Sequence, residues 1–442
     1  MTDLKRSTDE PIVAHSSASE LCRILKENRA GRPRGIYSVC SANRLVLEAA
    51  FAQASHDNSP LLIEATCNQV NQEGGYTGLE PAQFRDYLHA IARDVDFPLC
   101  RLILGGDHLG PNPWRSQSAA IAMEKACAMV TAYAEAGFTK IHLDASMACA
   151  DDPHVLASAV IAERAALLCE AAEIATQDFA VKPLYVIGTE VPTPGGAQKE
   201  MHIAVTTTVS LKETLDVHHD AFARRNLLSA WERVIAVVVQ PGVEFNDEAV
   251  ADYIPERASE LSRCILEKER MVYEAHSTDY QTTDSLRQLA SDHFGILKVG
   301  PELTFAMREA VFALGRIEEE WIAESKRSEI RGVIERAMIE SPEYWKPYYR
   351  GDELQMKVAR AFSFSDRIRY YWLNTEVSAS LSRLIQNLSS SPAPLPLIAQ
   401  YLPRQAEAIR AGMVRNDPNA MIRHRIQESL ARYSSACGLQ GA

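Results

Sequence analysis

Eight short, β-rich apolar runs alternate along this chain with longer stretches whose apolar residues recur at helical spacing. The runs are Ile36 to Ser41, Leu61 to Thr66, Leu102 to His108, Ile141 to Ser146, Leu184 to Glu190, Val234 to Gln240, Met271 to His276 and Ile296 to Gly300. Such alternation builds a parallel sheet with helices on its faces. Eight strands close a (β/α)8 TIM barrel. A doubly wound open sheet accepts the same alternation, but it gives no reason for eight strands that end in polar residues, where barrels carry their chemistry. The spacing between runs predicts helices such as Ser116 to Ala136, with an apolar face from Ile121 to Tyr133 and Gly137 as its stop.

After the eighth run, Pro301 sits just inside a helix expected from Glu302 to about Trp321, where its missing N–H costs nothing. No strand signal follows. Helical spacing marks Ile330 to Met338, Glu376 to Leu388, Leu397 to Ala411 and Ala420 to Tyr433, while the Ser- and Pro-rich stretch 389–396 reads as a linker. The expected organisation is a disordered N-terminus at 1–16, a barrel at 17–322 and a C-terminal helical extension at 323–442.

Composition narrows the function. No apolar run approaches the roughly 20 residues of a membrane span, so no membrane association is expected. The polar N-terminus lacks the apolar core of a secretory signal, which points to the cytoplasm. The nine cysteines are scattered without a CxxC pair, indicating neither a zinc ribbon nor a disulfide framework. A net charge of −12 without clustered Lys and Arg argues against nucleic acid. An anionic substrate would then need a local basic or backbone-amide pocket.

The strand ends carry Glu64, Asp107 with His108, Asp144, Glu190, Gln240 and His276. Converging carboxylates repel one another and lose solvation unless a cation pairs them, and a divalent metal held by histidines and a carboxylate would serve. Each residue also has a plainer reading. Asp107, in GGDHLGPNPW, could cap the following helix, although Gly105 and Gly106 would let backbone approach a ligand. His276 alone reads as a satisfied core histidine. His142 and Asp144 share a strand face and read as an internal pair. Glu64 and Glu274 either orient other groups or pair with Lys and Arg. Lys182 and Lys298 occupy strand positions, where a buried lysine could form a Schiff base instead of using metal. His218 and His219 read as solvated.

For phosphate, the turn Ser277, Thr278, Asp279 and the Gly300-Pro301 step offer backbone amides at a helix N-terminus. Arg367 and Arg369 in SFSDRIRYYW could reach an anion, but such aromatic and Arg clusters are more often packing. Neither G-x-x-x-x-G-K-[ST] nor G-x-G-x-x-G occurs, which weighs against a nucleotide-using enzyme.

Long runs resemble the family of Z subunits of class II D-tagatose-1,6-bisphosphate aldolase. They include YSVCSAN (37–43), LIEATCNQVNQEGGYTG (62–78), LGGDHLGPNPW (104–114), KIHLDASMACADDP (140–153), YVIGTEVPTPGG (185–196), VVVQPGVEF (237–245), MVYEAHSTDYQT (271–282), LKVGPELTFAMREA (297–310) and SDRIRYYW (365–372). The resemblance implies a barrel related to class II aldolases, with Asp107 as acid/base and His108, Glu190 and His276 as candidate ligands of a divalent metal such as Zn, Mn or Mg. Glu190 would also be a catalytic carboxylate. Where those aldolases place another ligand histidine, this chain has Gln240. Glu64, Asp144, Gln240 and Lys298 are then candidates for orienting the ligands.

Members of the family are described as stabilising partners of a Y-type catalytic subunit, as C4 epimerases of tagatose 6-phosphate, or as tagatose-6-phosphate kinases. The missing nucleotide motifs rank the kinase last. The expected substrate is a phosphorylated ketose, and the expected partners are a Y-type aldolase chain or further copies of this one. In a 2-ketose the C4 hydrogen is not α to the C2 carbonyl, so C4 epimerisation calls for cleavage and re-formation of C3–C4. The expected reaction is therefore metal-assisted retro-aldol chemistry on D-tagatose 6-phosphate, yielding fructose 6-phosphate.

Overall fold

The computed structural model describes residues 17–191 and 203–441. The expected disorder at 1–16 lies outside these residues. Eight parallel strands close into a barrel: β1 (Ile36–Val39), β2 (Leu61–Thr66), β3 (Leu102–Leu109), β4 (Lys140–Leu143), β5 (Leu184–Ile187), β6 (Val234–Val238), β9 (Val272–Ala275) and β10 (Phe294–Val299). A two-stranded ribbon of β7 (Glu244–Phe245) and β8 (Val250–Ala251), absent from the sequence expectation, follows β6. The barrel strands are buried at every residue except Thr66, at the end of β2, the burial expected of parallel strands with side chains inside and helices outside.

Local chemistry sets the helix limits. The helix expected from Ser116 begins at Ala119 and ends at Glu135, and Gly137 follows at φ 85°, a left-handed stop that favours glycine. Pro301 opens the helix Pro301–Trp321 as expected. The helix expected over 397–411 is instead two, Leu395–Tyr401 and Pro403–Arg410. Pro403 has no N–H to continue the first helix, and it pushes Leu402 out of helical geometry.

Helix Ser17–Arg29 packs beneath the N-terminal strand ends, where Asn28 donates to Ala290 O at 2.7 Å. The helices after residue 322 share one buried core with the barrel. The last, Pro418–Ala436, packs on helices Arg44–Asp57, Thr283–Ser291 and Pro301–Trp321. It is anchored by hydrogen bonds from Ser434 Oγ to Asp57 (2.6 Å) and from Tyr433 OH to Thr278 O (2.6 Å). Among the described residues, no helix is long and apolar enough to cross a membrane.

Candidate active site

The strand order brings β2, β3, β4, β9 and β10 to one end of the barrel with their charged residues pointing inward. Asp107 and His108 are consecutive, so strict alternation would send one of them outward. His108 adopts φ 49°, and the β3–β4 register shifts between Gly106 and Leu109, an irregularity that leaves both side chains on the pocket. The glycines before them serve packing rather than a ligand. A Cβ at Gly105 would lie 2.6 Å from Glu64 Cγ, and one at Gly106 would lie 2.5 Å from Leu109 Cδ1.

Asp107 Oδ1 lies 2.9 Å from His142 Nδ1 and 2.9 Å from Lys298 Nζ, while Oδ2 is 3.7 Å from His108 Nε2. His108 Nδ1 pairs with Asp144 Oδ2 at 2.8 Å. The expected His142–Asp144 pair is therefore replaced by two crossed pairs, His142 with Asp107 and His108 with Asp144. From β9, His276 Nε2 meets Glu274 Oε1 at 3.0 Å. The three imidazoles are neighbours, with ring centroids 4.7 to 5.3 Å apart.

Two lysines answer the expected repulsion between carboxylates. Lys140, fully buried, lies 2.6 Å from both Glu64 and Glu274. Lys298 bridges Glu64 and Asp107. Glu64 and Glu274 thus pair with lysines, one of the two roles left open for them. Lys182 is elsewhere, donating to the carbonyls of Thr176 and Gln177.

These surroundings set the protonation states. Burial favours a neutral Asp107, but the charges of His108 and Lys298 and the hydrogen bond to His142 hold its carboxyl well below the usual range. Burial likewise opposes charge on His108, yet the Asp107 and Asp144 carboxylates raise it. His276 is pushed down to about 4, chiefly by burial, so near neutral pH it offers a lone pair.

Asp107, His142, Glu274 and His276 each present a ligand atom within 4.8 Å of the others, a set suited to a metal ion. The donor chemistry fits one. His142 Nδ1 lies 2.9 Å from Asp107 Oδ1 and 3.2 Å from the His108 backbone N–H, which donates to it, and the buried His142 Nε2 has no hydrogen-bond partner among the described residues. Two imidazoles and two carboxylates suit Zn or Mn better than Mg, which prefers oxygen ligands.

Other expected residues lie apart from this group. Strand β5 ends at Ile187, so Glu190 falls in the following loop, where it is exposed and accepts from Thr206 Oγ1 at 2.5 Å. Gln240 lies past the end of β6 and accepts from Gly242 N at 2.8 Å. The phosphate cradle expected at Gly300 is filled from within. Asp279 accepts from Gly300 N (3.0 Å) and Glu302 N (2.8 Å), and Thr278 donates to Lys298 O at 2.6 Å. Ser277 stands at the pocket wall in a left-handed conformation, φ 54°. Burial, reinforced by Glu302, lifts the Asp279 carboxyl to about 7.

Above the cluster opens a pocket of about 280 Å³, bordered by Asp107, His108, His276 and Lys298 and, from the C-terminal extension, Arg369 and Tyr370. That volume is at the lower end for small-molecule sites. Sequence reasoning missed His142 and Lys140 as members of the site. Their period-two spacing on β4 was the available signal. His218 is also buried rather than solvated, with Nδ1 2.7 Å from Thr214 O.

A closed parallel barrel with an acid, imidazole and lysine cluster at the C-terminal strand ends defines a (β/α)8 protein with a metal-capable polar site. More particularly, the chain belongs to the D-tagatose-1,6-bisphosphate aldolase subunit GatZ/KbaZ-like family, which it matches over residues 21–438. It is similar to the crystal structure of a probable tagatose 6 phosphate kinase from Sinorhizobium meliloti. The two are 45% identical over 91% of this chain and 100% of that one, with a TM-score of 0.85. A fructose-bisphosphate aldolase from Campylobacter jejuni overlaps 84% of this chain and 92% of its own at 14% identity and a TM-score of 0.45, too loosely to bear on the chemistry. The family ties the chain to tagatose metabolism.

Proposed function

We propose that the chain catalyses metal-assisted retro-aldol chemistry on D-tagatose 6-phosphate, acting as a C4 epimerase that yields fructose 6-phosphate. The observation that supports this best is the convergence of Asp107, His142, Glu274 and His276 beneath a pocket that Asp107 and His276 border. A divalent cation held by His142, Glu274 and His276 of that set would supply a Lewis acid for the oxygens at C2 and C3 of a bound ketose. Asp107 rests as the base. Its Oδ2, which His108 faces and Lys298 does not hold, takes the C4 hydroxyl proton as C3–C4 breaks and returns it once the bond re-forms on the other face of the aldehyde. Asp144 fixes the His108 ring beside that oxygen. If the aldehyde leaves before re-addition, the same residues act as an aldolase.

A second reading, a stabilising subunit for a separate class II aldolase chain, is favoured by one observation. Lys140 and Lys298 already pair Glu64, Glu274 and Asp107 without any metal. The kinase named for the similar structure would need a nucleotide site, for which the sequence carries no glycine-rich phosphate motif. The purified chain should convert D-tagatose 6-phosphate in a coupled fructose 6-phosphate assay with Zn, Mn or Mg. Absence of turnover with every cation, together with co-elution with a co-expressed Y-type aldolase chain, would establish the subunit reading instead.

A further inference from the structure

We infer that Arg369, supplied by the C-terminal extension, is the residue that binds the phosphate group of the substrate. The inference rests on the sugar-phosphate reading above and adds the residue that makes the site selective for a phosphorylated sugar.

The usual place for phosphate in such a barrel, the helix N-terminus after the last strand, is closed. Its amides at Gly300 and Glu302 already donate to Asp279 Oδ1, a built-in acceptor that a phosphate would have to displace. Phosphate charge must then be met elsewhere in the pocket.

The described arginines and lysines on the pocket wall are Arg44, Lys298 and Arg369. Arg44 is committed to Glu48 (2.8 Å) and Asp94 (3.0 Å) and is half exposed. Lys298 faces Glu64, Asp107 and Glu274. Arg369 differs from both. Its described hydrogen-bond partners are neutral: the carbonyls of Ser365 and Asp366 and, at 3.0 Å, the Tyr370 hydroxyl. The nearby Asp366 carboxylate, which also attracts Arg369, pairs directly with Arg308 at 3.2 Å.

Those neutral acceptors aim the guanidinium without cancelling its charge. It lies 4.5 Å from the centre of the Tyr370 ring, and Tyr370 stacks on Tyr344 at 4.7 Å. The field is felt locally. Burial by itself would raise the Tyr370 phenol, yet Arg369 and then Arg367 bring it below the usual tyrosine range. A planar, partly buried guanidinium with spare charge suits a phosphate monoester dianion. Arg367 does not compete for that role, because it is buried against Tyr348 and donates to Tyr344 O at 3.0 Å.

Isothermal titration of the full chain with D-tagatose 6-phosphate, inorganic phosphate and unphosphorylated D-tagatose tests this without requiring turnover. Arg369→Gln should weaken both phosphorylated ligands at least tenfold and leave D-tagatose unchanged. Arg369→Lys should recover part of the loss. Melting curves for each variant separate lost binding from lost folding. Unchanged affinity in a folded Arg369→Gln, an equal loss for phosphorylated and unphosphorylated sugar, or no phosphate-dependent binding by the unaltered chain would overturn the inference. Arg369-dependent binding without turnover would leave it standing and count against the epimerase.

Discussion

Asp107 and His142, on the neighbouring strands β3 and β4, meet at 2.9 Å through Oδ1 and Nδ1. The contact fixes the carboxylate and leaves Oδ2 toward His108. Asp107→Asn keeps the shape and a polar group facing His142, but removes the base. Turnover should fall by about 10²- to 10⁴-fold while the melting temperature stays within a few degrees, as steady-state assay and calorimetry would show. An Asn variant with near-normal turnover would remove Asp107 from the chemistry.

His142 and His276 should control metal content. The chain, purified and dialysed against Zn or Mn, should hold about one ion by elemental analysis, and His142→Ala or His276→Ala should each reduce that to a small fraction, as loss of a buried ligand does. A strong chelator should abolish turnover, and added metal should restore it. Metal content undiminished in both variants would place the ion elsewhere.

Lys298 should matter to stability as much as to activity. Lys298→Met removes the ammonium that Glu64 and Asp107 share, leaving buried carboxylates facing one another. Removing one partner of a buried pair costs about 3–5 kcal/mol, which urea unfolding would register. A cost below about 1 kcal/mol would mean that the lysine is not what balances the cluster.

His218 gives a dependence on pH. Burial pushes it down to about 4 from its usual 6.5, so folding favours the neutral ring. The associated stability is present above pH 6.5 and is lost as pH falls toward 4. Between pH 7 and pH 5 the loss should be about 2 kcal/mol, and His218→Gln, which can still donate to Thr214 O, should lack it. Parallel unfolding curves for the two proteins at both pH values would refute this.

The barrel was legible because each strand's apolar run is bounded by turn residues and separated by a helical period. The membership of the site was only partly legible, for reasons of geometry. That Asp107 and His108 both face the pocket depends on the left-handed turn at His108, which period-two reasoning excludes. Glu190 reads as a strand-end residue because the sequence pattern carries β5 three residues past its end at Ile187. Lys140 and His142 were within reach, since they share the inward face of β4 with Asp144, but their partners lie on other strands. Arg369 reads as packing in the sequence, because nothing local there brings the extension to the barrel mouth.

Conversion of D-tagatose 6-phosphate in D2O, followed by NMR, tests the central claim most directly. Cleaving and re-forming C3–C4 never breaks the C4–H bond, so fructose 6-phosphate should appear with no deuterium at C4. Deuterium at C4, or no product with any divalent cation, would contradict the account.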